Sequence, residues 1–127
     1  MSEVPEGLRY TKEHEWIRVE GGEAVIGITD FAQTALTDVV WVELPDNGSI
    51  VSSMEAFGSV ESVKSVSEIY APLGGEVVSV NEDLEDAPEL INDDPYGDGW
   101  ICRISMSDPK ELESLLVAVT YSELIEG

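Results

Sequence analysis

Residues 60 to 69 read Val60-Glu61-Ser62-Val63-Lys64-Ser65-Val66-Ser67-Glu68-Ile69, and this segment is nearly a mirror image about its centre. When the chain is folded back between Lys64 and Ser65, like residues face each other, with Glu61 opposite Glu68. Such symmetry predicts a β-hairpin with a two-residue turn and Lys64 at its tip. The turn pair is not one of the Asn-Gly or Asp-Gly pairs that tight hairpins prefer, so turn propensity alone does not explain Lys64.

A lysine at the tip of a hairpin is a candidate for covalent modification. The chain has only three lysines, and a modifying enzyme needs an accessible amine on a rigid element. Exposed lysines in turns are also common on ordinary protein surfaces. The pattern alone therefore leaves two interpretations of Lys64 open, a modified residue and a solvated turn residue.

Short strand patterns surround this hairpin. Residues 15–20 alternate, end at a Gly-Gly pair and are followed by 24–28, which predicts a second hairpin. Residues 39–44 are almost continuously apolar, as expected for a strand that is covered on both faces. Residues 21–25 resemble residues 74–78, which hints at a pseudo-symmetric sheet built from two similar halves.

Helix signals are few and short. A capping box opening at Asp30 predicts a brief helix that ends at Leu36. Asp108 followed by a proline and an acidic third position predicts a helix with one leucine-rich face. Thr120 with Glu123 predicts a last helix, so that C-terminal helices occupy about 108–126. The sequence thus predicts one mainly β domain over 1–127 with peripheral helices.

Composition excludes several classes of function. Six basic residues against 27 acidic ones give a formal net charge of -21, which disfavours binding to nucleic acids and to anionic membranes. Acidic residues are spread along the chain, as in proteins adapted to a salt-rich cytoplasm. Cys102 is the single cysteine and His14 the single histidine, so neither a disulfide framework nor a metal cluster is expected. We expect Cys102 to pack in a strand and His14 to be structural. The N-terminus has no secretory signal, which favours a cytoplasmic location.

The Lys64 segment resembles the lipoylation segment of glycine cleavage H proteins. It combines residues 58–65 with the sequence Ser-Glu-Ile-Tyr-Ala-Pro at 67–72. The resemblance covers nearly the whole chain, in the family's order and spacing. The other matching motifs are His14-Glu15-Trp16, Gly27-Ile28-Thr29-Asp30, Val42-Glu43-Leu44-Pro45, Gly75-Glu76-Val77-Val78, Leu90-Ile91-Asn92, Pro95-Tyr96-Gly97 with Gly99-Trp100, and Glu111-Leu112-Glu113-Ser114-Leu115-Leu116.

This resemblance implies a flattened barrel-sandwich hybrid of the lipoyl and biotinyl carrier type, with the lipoyl hairpin at about 58–70. It implies lipoic acid as the cofactor, linked by an amide to Lys64, and a carrier subunit with no catalysis of its own. The implied partners are a glycine decarboxylase (P protein), an aminomethyltransferase (T protein), a dihydrolipoamide dehydrogenase (L protein) and a lipoylating enzyme. A monomer is expected from the family.

The resemblance also implies which residues receive the loaded arm. Acidic side chains near the first strand and just past the lysine contact the amine in the family, and Glu15 and Glu68 occupy those positions here. Glu61 joins them as a candidate cofactor-binding residue. Family members often have a histidine in or near the short helix after Asp30, where this chain has Phe31 and Ala35.

Three alternatives stay open at the level of sequence. Lipoyl or biotinyl domains of other complexes typically have Asp-Lys-Ala or Met-Lys-Met at the modified turn, which Val63-Lys64-Ser65 does not match. An H-like platform for lipoyl assembly and transfer to other enzymes would have the same hairpin. An unmodified acidic interaction module would leave Lys64 without an adduct. An independent enzyme is disfavoured because the sequence has no evident nucleophile–base pair.

Overall fold

The computed structural model describes residues 2–126 and contains two antiparallel sheets with short helices at their edges. Its strands, in chain order, are β1 (Arg9–Tyr10), β2 (Glu15–Glu20), β3 (Glu23–Ile28), β4 (Val39–Glu43), β5 (Ile50–Val51), β6 (Ala56–Ser62), β7 (Val66–Tyr70), β8 (Gly75–Val80) and β9 (Cys102–Met106). The helices are α1 (Asp30–Leu36), α2 (Asp83–Asp86), α3 (Leu90–Asp93), a 3₁₀ helix (Pro109–Ser114) and α4 (Ala118–Glu126).

Six strands form the larger sheet in the order β1-β2-β3-β9-β8-β5, and the smaller sheet has the order β4-β6-β7. Neither order closes on itself, so the mainly β prediction is confirmed as two open antiparallel sheets. The apolar faces of both sheets contribute to one core, which contains Ile17, Ile26 and Ile104 from the larger sheet and Val42 and Val60 from the smaller one. No helix among residues 2–126 has the length and apolar character needed to cross a membrane.

The two similar sequence segments lie on either side of one strand. β3 and β8 both pair with β9, and Glu23 and Glu76 both face Ser105. Ala24 and Val77 likewise both face Ile104. The sequence echo therefore corresponds to two strands that flank β9 in the same register.

The hairpin predicted over 15–28 is confirmed, because β2 and β3 pair along their whole length. The prediction for 39–44 was wrong in one respect. β4 is an edge strand of the smaller sheet, and a register shift lies between Val39 and Trp41. Val39 and Val42 are buried, while Val40 and Trp41 face outward and are exposed. The apolar run therefore contains an exposed outer face and is not covered on both sides.

The predicted helices are all present, while their caps differ in detail, and the short helices α2 and α3 were not predicted. α1 ends at Leu36 as predicted, but its N-cap is Thr29, whose hydroxyl accepts a hydrogen bond from the Ala32 amide. Asp108 caps the helix at Pro109–Ser114 as predicted, although that helix is 3₁₀ rather than α. α4 begins at Ala118, so Thr120 lies inside the helix instead of capping it.

Candidate functional site

The turn between β6 and β7 presents Lys64 to solvent. Its ends are Ser62 and Ser65, joined by a hydrogen bond from the Ser62 amide to the Ser65 carbonyl (2.8 Å). The side-chain oxygen of Ser62 accepts hydrogen bonds from the amides of Lys64 (3.1 Å) and Ser65 (3.0 Å). The Val63 amide donates to the Asp38 carbonyl (3.1 Å), which fastens the turn to the segment before β4. The backbone at Lys64 is thus held while its side chain is exposed.

The register of this hairpin differs from the mirror-image prediction. Glu61 pairs with Val66 and Glu68 with Ser59, so the turn is centred between Val63 and Lys64. The predicted pairing is displaced from this register by two residues. A shift of two leaves every side chain on its own face of the sheet, so the alternation of apolar residues does not distinguish the two pairings. The hydrogen bonds of Ser62 select the observed one, and Glu61 and Glu68 do not face each other.

A cleft of about 320 Å³ adjoins the turn. It lies between the β1–β2 connection, α1 and the start of β7. The residues that line it are Glu13, His14, Phe31, Ala32, Ala35, Leu36, Ser65, Val66 and Ser67. Most of its helical wall is apolar, so the cleft suits an arm with a hydrocarbon chain better than a polar ligand.

His14 forms a fixed part of this cleft. Its Nδ1 lies 2.8 Å from the Tyr121 hydroxyl, and its ring lies 4.8 Å from the Phe31 ring. Burial lowers the pKa of His14, which favours the neutral imidazole. The Tyr121 hydroxyl also lies 2.7 Å from the Thr29 hydroxyl at the start of α1. These contacts agree with the predicted structural role of His14, and they join α4 to the helical wall of the cleft.

Glu15 is buried, and both of its carboxylate oxygens accept hydrogen bonds from within the protein. The Thr11 hydroxyl donates to its Oε1 (2.5 Å), and the Tyr70 amide donates to its Oε2 (3.2 Å). Burial raises the pKa of Glu15 to about 7, although both hydrogen bonds act in the opposite direction. Glu15 therefore joins the β1–β2 connection to the end of β7. The carboxylate that lines the cleft beside it is Glu13.

Glu61 and Glu68 lie on the exposed face of the smaller sheet. Glu68 lines a second groove, of about 420 Å³, with Glu43, Asp46 and Phe57 among its other residues. The negative charge of Glu68 raises the pKa of the Tyr70 phenol. The structure thus brings Glu15 and Glu68 close to the same residue, Tyr70, but neither carboxylate lines the helical cleft.

Sequence reasoning missed Ser62 and Glu13, whereas the resemblance had pointed to the helix of Phe31 and Ala35, which both line the cleft. A serine two residues before Lys64 was an available signal, because serine hydroxyls often bind amides two or three positions further along. Cys102 packs in β9 as expected, and burial raises the pKa of its thiol to about 12. Within residues 2–126, no group of three or more His, Cys, Asp or Glu side chains could hold a metal ion.

Comparisons with known proteins agree on one family. The family model described as "Glycine cleavage H-protein" matches residues 8–127. A glycine cleavage system H protein of Anaeromyxobacter sp. (strain K) is 57% identical over 124 residues, which are 98% of this chain and 97% of that protein. The glycine cleavage system H protein of Bacillus cereus (strain AH187) is 54% identical over 121 residues, or 95% of each chain.

The fold is also similar to that of a solved glycine cleavage system H protein. A crystal structure of a glycine cleavage system H protein from Mycobacterium marinum is similar to this chain with a TM-score of 0.89 and 39% sequence identity. The similarity covers 98% of this chain and 100% of the other. Sequence and fold comparisons therefore point to the same family over nearly the whole chain.

Proposed function

The chain belongs to the glycine cleavage H-protein family, and we propose that its lipoyl group is attached by an amide to the Nζ of Lys64. Members of this family are lipoyl carriers of the glycine cleavage system, so this chain is a carrier subunit rather than an enzyme. The observation that carries the attachment proposal is the fixed, exposed turn. It holds the backbone of Lys64 through Ser62 and leaves the amine free for a modifying enzyme.

The cleft beside the turn suits the arm that Lys64 would carry. When bound, the lipoyl group supplies the dithiolane that exchanges a one-carbon unit and electrons. Phe31, Ala32 and Leu36 provide an apolar wall that excludes water from a folded-back arm. Neutral His14 adds no positive charge that would repel an ammonium group.

Three carboxylates have separate proposed roles toward a loaded amine. Glu13 lines the cleft and is placed to attract a cationic amine there. Glu68 contributes negative charge from the other face of β7. Glu15 acts as a positioning residue, because its hydrogen bonds to Thr11 and Tyr70 hold the end of β7 against the β1–β2 connection.

The partners follow from the system to which the family belongs. We propose that the carrier serves a glycine decarboxylase, an aminomethyltransferase and a dihydrolipoamide dehydrogenase, and that a lipoylating enzyme modifies Lys64. A cytoplasmic location is part of this proposal. The amide forms when the deprotonated amine attacks an activated lipoyl carbonyl; the activating group then leaves, and the amine proton passes to solvent.

The test is the mass of the protein made in lipoate-replete cells with a lipoate ligase present. We expect the mass of one lipoyl group, mapped to the peptide that contains Lys64. Lys64→Arg should abolish it, whereas Lys12→Arg, a matched change at another exposed lysine, should not. An unmodified Lys64 under these conditions would contradict the proposal and favour an acidic interaction module.

A further inference from the structure

The outward face of the smaller sheet carries exposed apolar side chains beside Lys64. Val40 is 48% exposed, Trp41 58%, Val63 70% and Val66 63%. A tryptophan exposed to this extent is unusual in a strand, because burial of its large apolar surface is strongly favourable. Exposed apolar patches of this kind mark surfaces that bind other proteins.

The sheet register brings two of these residues, Trp41 and Val66, onto one surface with several carboxylates. Trp41 faces Glu61 across β4 and β6, and Glu61 faces Val66 across β6 and β7. Directly paired residues project on the same side of a sheet, so Trp41, Glu61 and Val66 form one row. Glu43, Ser59 and Glu68 form the next row. We name this surface, together with Val40 on β4 and Val63 in the turn, the Trp41 face.

The charged residues around the Trp41 face are nearly all acidic. Acidic residues surround Trp41 on the other side as well, where Glu82 and Glu85 line a groove of about 370 Å³ beside it. Lys64 is the only basic residue in the smaller sheet or its turn. The other five lie in the larger sheet or in segments next to it, namely Arg9, Lys12, Arg18, Arg103 and Lys110. Conversion of Lys64 to an amide would make the face wholly acidic.

We propose that the Trp41 face is the docking surface for the enzyme that lipoylates Lys64, and that this enzyme presents an apolar pocket for Trp41 bordered by lysine or arginine side chains. This inference rests on the proposed function. An enzyme that forms the amide has to bring its active site to Nζ itself. Enzymes that act on the dithiolane work at the far end of the arm and need not cover the turn.

Distance supports this assignment. Lys64 lies three residues beyond Glu61, which is at most about 10 Å of extended chain, and Trp41 lies opposite Glu61 on the next strand, about 5 Å away. A typical protein interface covers about 800 Å² on each partner, equivalent to a circle of about 16 Å radius. An interface centred on Lys64 therefore includes Trp41. Tryptophan is among the residues that most often dominate binding energy in such interfaces.

A second copy of this chain fits the Trp41 face poorly. Two copies would bring Glu43, Glu61 and Glu68 of one protomer against the same carboxylates of the other, in a chain with a formal net charge of -21. Such like-charge contact opposes self-association. A basic partner gains from the same charges, and its docking weakens as salt screens them.

The experiment measures initial lipoylation rates against carrier concentration, with purified lipoate ligase, lipoate and ATP, and intact mass as the readout. We expect Trp41→Ala to raise KM about 10-fold and to leave kcat within about twofold. Trp41→Phe should recover part of the loss. The matched control is Ile50→Ala, which removes a 73% exposed apolar residue from β5 in the larger sheet and should leave KM unchanged.

Charge is tested in the same assay at low and high salt. The double variant Glu43→Gln with Glu61→Gln should raise KM and flatten its salt dependence, whereas Glu113→Gln, an exposed acid on the 3₁₀ helix, should do neither. An unchanged KM for Trp41→Ala overturns the docking proposal alone. So does a concentration-dependent dimer of the wild type that Trp41→Ala abolishes. A wild-type protein that gains no lipoyl group overturns the proposed function, and the docking proposal with it.

Discussion

The two sheets differ in the burial of their tryptophans. Trp16 on β2 of the larger sheet is fully buried, while Trp41 on β4 of the smaller sheet is 58% exposed. The Trp16 indole donates to the Pro95 carbonyl (2.9 Å) and lies over Gly27, where a Cβ atom would come within 2.7 Å of the ring. No comparable partner covers Trp41 among residues 2–126.

The larger sheet therefore contributes packing that stabilises the fold, whereas the smaller sheet presents an exposed face beside Lys64. The larger sheet buries aromatic residues on its outer side, where Tyr10 and Tyr121 stack with their ring centroids 4.7 Å apart and tie α4 to β1. The smaller sheet buries only its inner face, and its outer face stays free around Lys64. A carrier gains from this division, because the lipoylating enzyme can dock on one sheet without disturbing the packing that stabilises the other.

The largest expected effect is the contrast between two tryptophan substitutions. Trp16→Ala should lower the free energy of unfolding by about 3–5 kcal/mol, because it leaves a cavity and an unpaired Pro95 carbonyl. Trp41→Ala should lower it by less than about 1 kcal/mol, because the side chain is largely in water. Urea unfolding followed by circular dichroism measures both values.

Circular dichroism is the appropriate signal because each variant also removes a fluorophore. Trp41→Phe is the control that retains a β-favouring aromatic residue at the exposed position. Equal losses of stability for Trp16→Ala and Trp41→Ala would contradict the difference between the two sheets, since they would mean that the outer face of the smaller sheet is also part of the core.

Much of the larger sheet could be predicted from the sequence because its signals are local. The pair Gly21-Gly22 lies between two apolar runs, and a hairpin is the only short connection that buries both. The cap at Asp108 with Pro109 was equally local. The failures involve choices between local alternatives, such as the N-cap at Thr29 in place of Asp30.

The smaller sheet was harder because its pattern is ambiguous. An apolar run such as 39–44 has the same appearance in a strand covered on both faces and in an edge strand with an exposed outer face. Only the strand order and the register shift before Trp41 distinguish them. A functional surface also breaks the usual rule that apolar residues are buried, so burial was predicted where exposure serves binding.

The second comparison uses the same substitution at a buried and an exposed acid. The pKa of Glu15 in the folded state is about 7, above its ordinary value of 4.5, because the side chain is buried. The folded state therefore binds more protons between these values, and stability falls as pH rises from about 4.5 to about 7. Glu15→Gln should remove this contribution. The free energy of unfolding of the Glu15→Gln variant, relative to that of the wild type, should therefore rise by about 2 kcal/mol between pH 5 and pH 8.

The measurement is the free energy of unfolding in urea at several pH values above 5, which avoids the isoelectric point near 4.1. Glu61→Gln, at an exposed position of β6, is the matched control and should show a nearly constant difference from the wild type. A pH-independent difference for Glu15→Gln as well would contradict the raised pKa and the view that burial dominates at this residue.

The candidate site was predicted in part. The hairpin pattern and the rarity of lysine made Lys64 a candidate, and the resemblance to H proteins favoured the modified lysine over the solvated one. Residue patterns alone do not predict the cleft, because it assembles His14, α1 and Ser65 from three separate segments, and only the resemblance pointed to α1. The contacts of Glu15 with Thr11 and Tyr70 likewise depend on tertiary packing, and sequence patterns do not encode them.

The smallest expected effect concerns the turn itself. Ser62→Ala removes the acceptor of the Lys64 and Ser65 amides, which should destabilise the protein by about 1 kcal/mol, since water can replace the lost contacts at the exposed tip. Hydrogen exchange of the Lys64 and Ser65 amides should become faster, and lipoylation should slow a few-fold because the amine is held less firmly. Ser105→Ala, at an exposed position of β9, is the control in the larger sheet. It should change neither hydrogen exchange at Lys64 and Ser65 nor the rate of lipoylation. If exchange at Lys64 is unchanged in Ser62→Ala, the turn is held by the Ser62–Ser65 backbone bond, and the serine hydroxyl does not position the lysine.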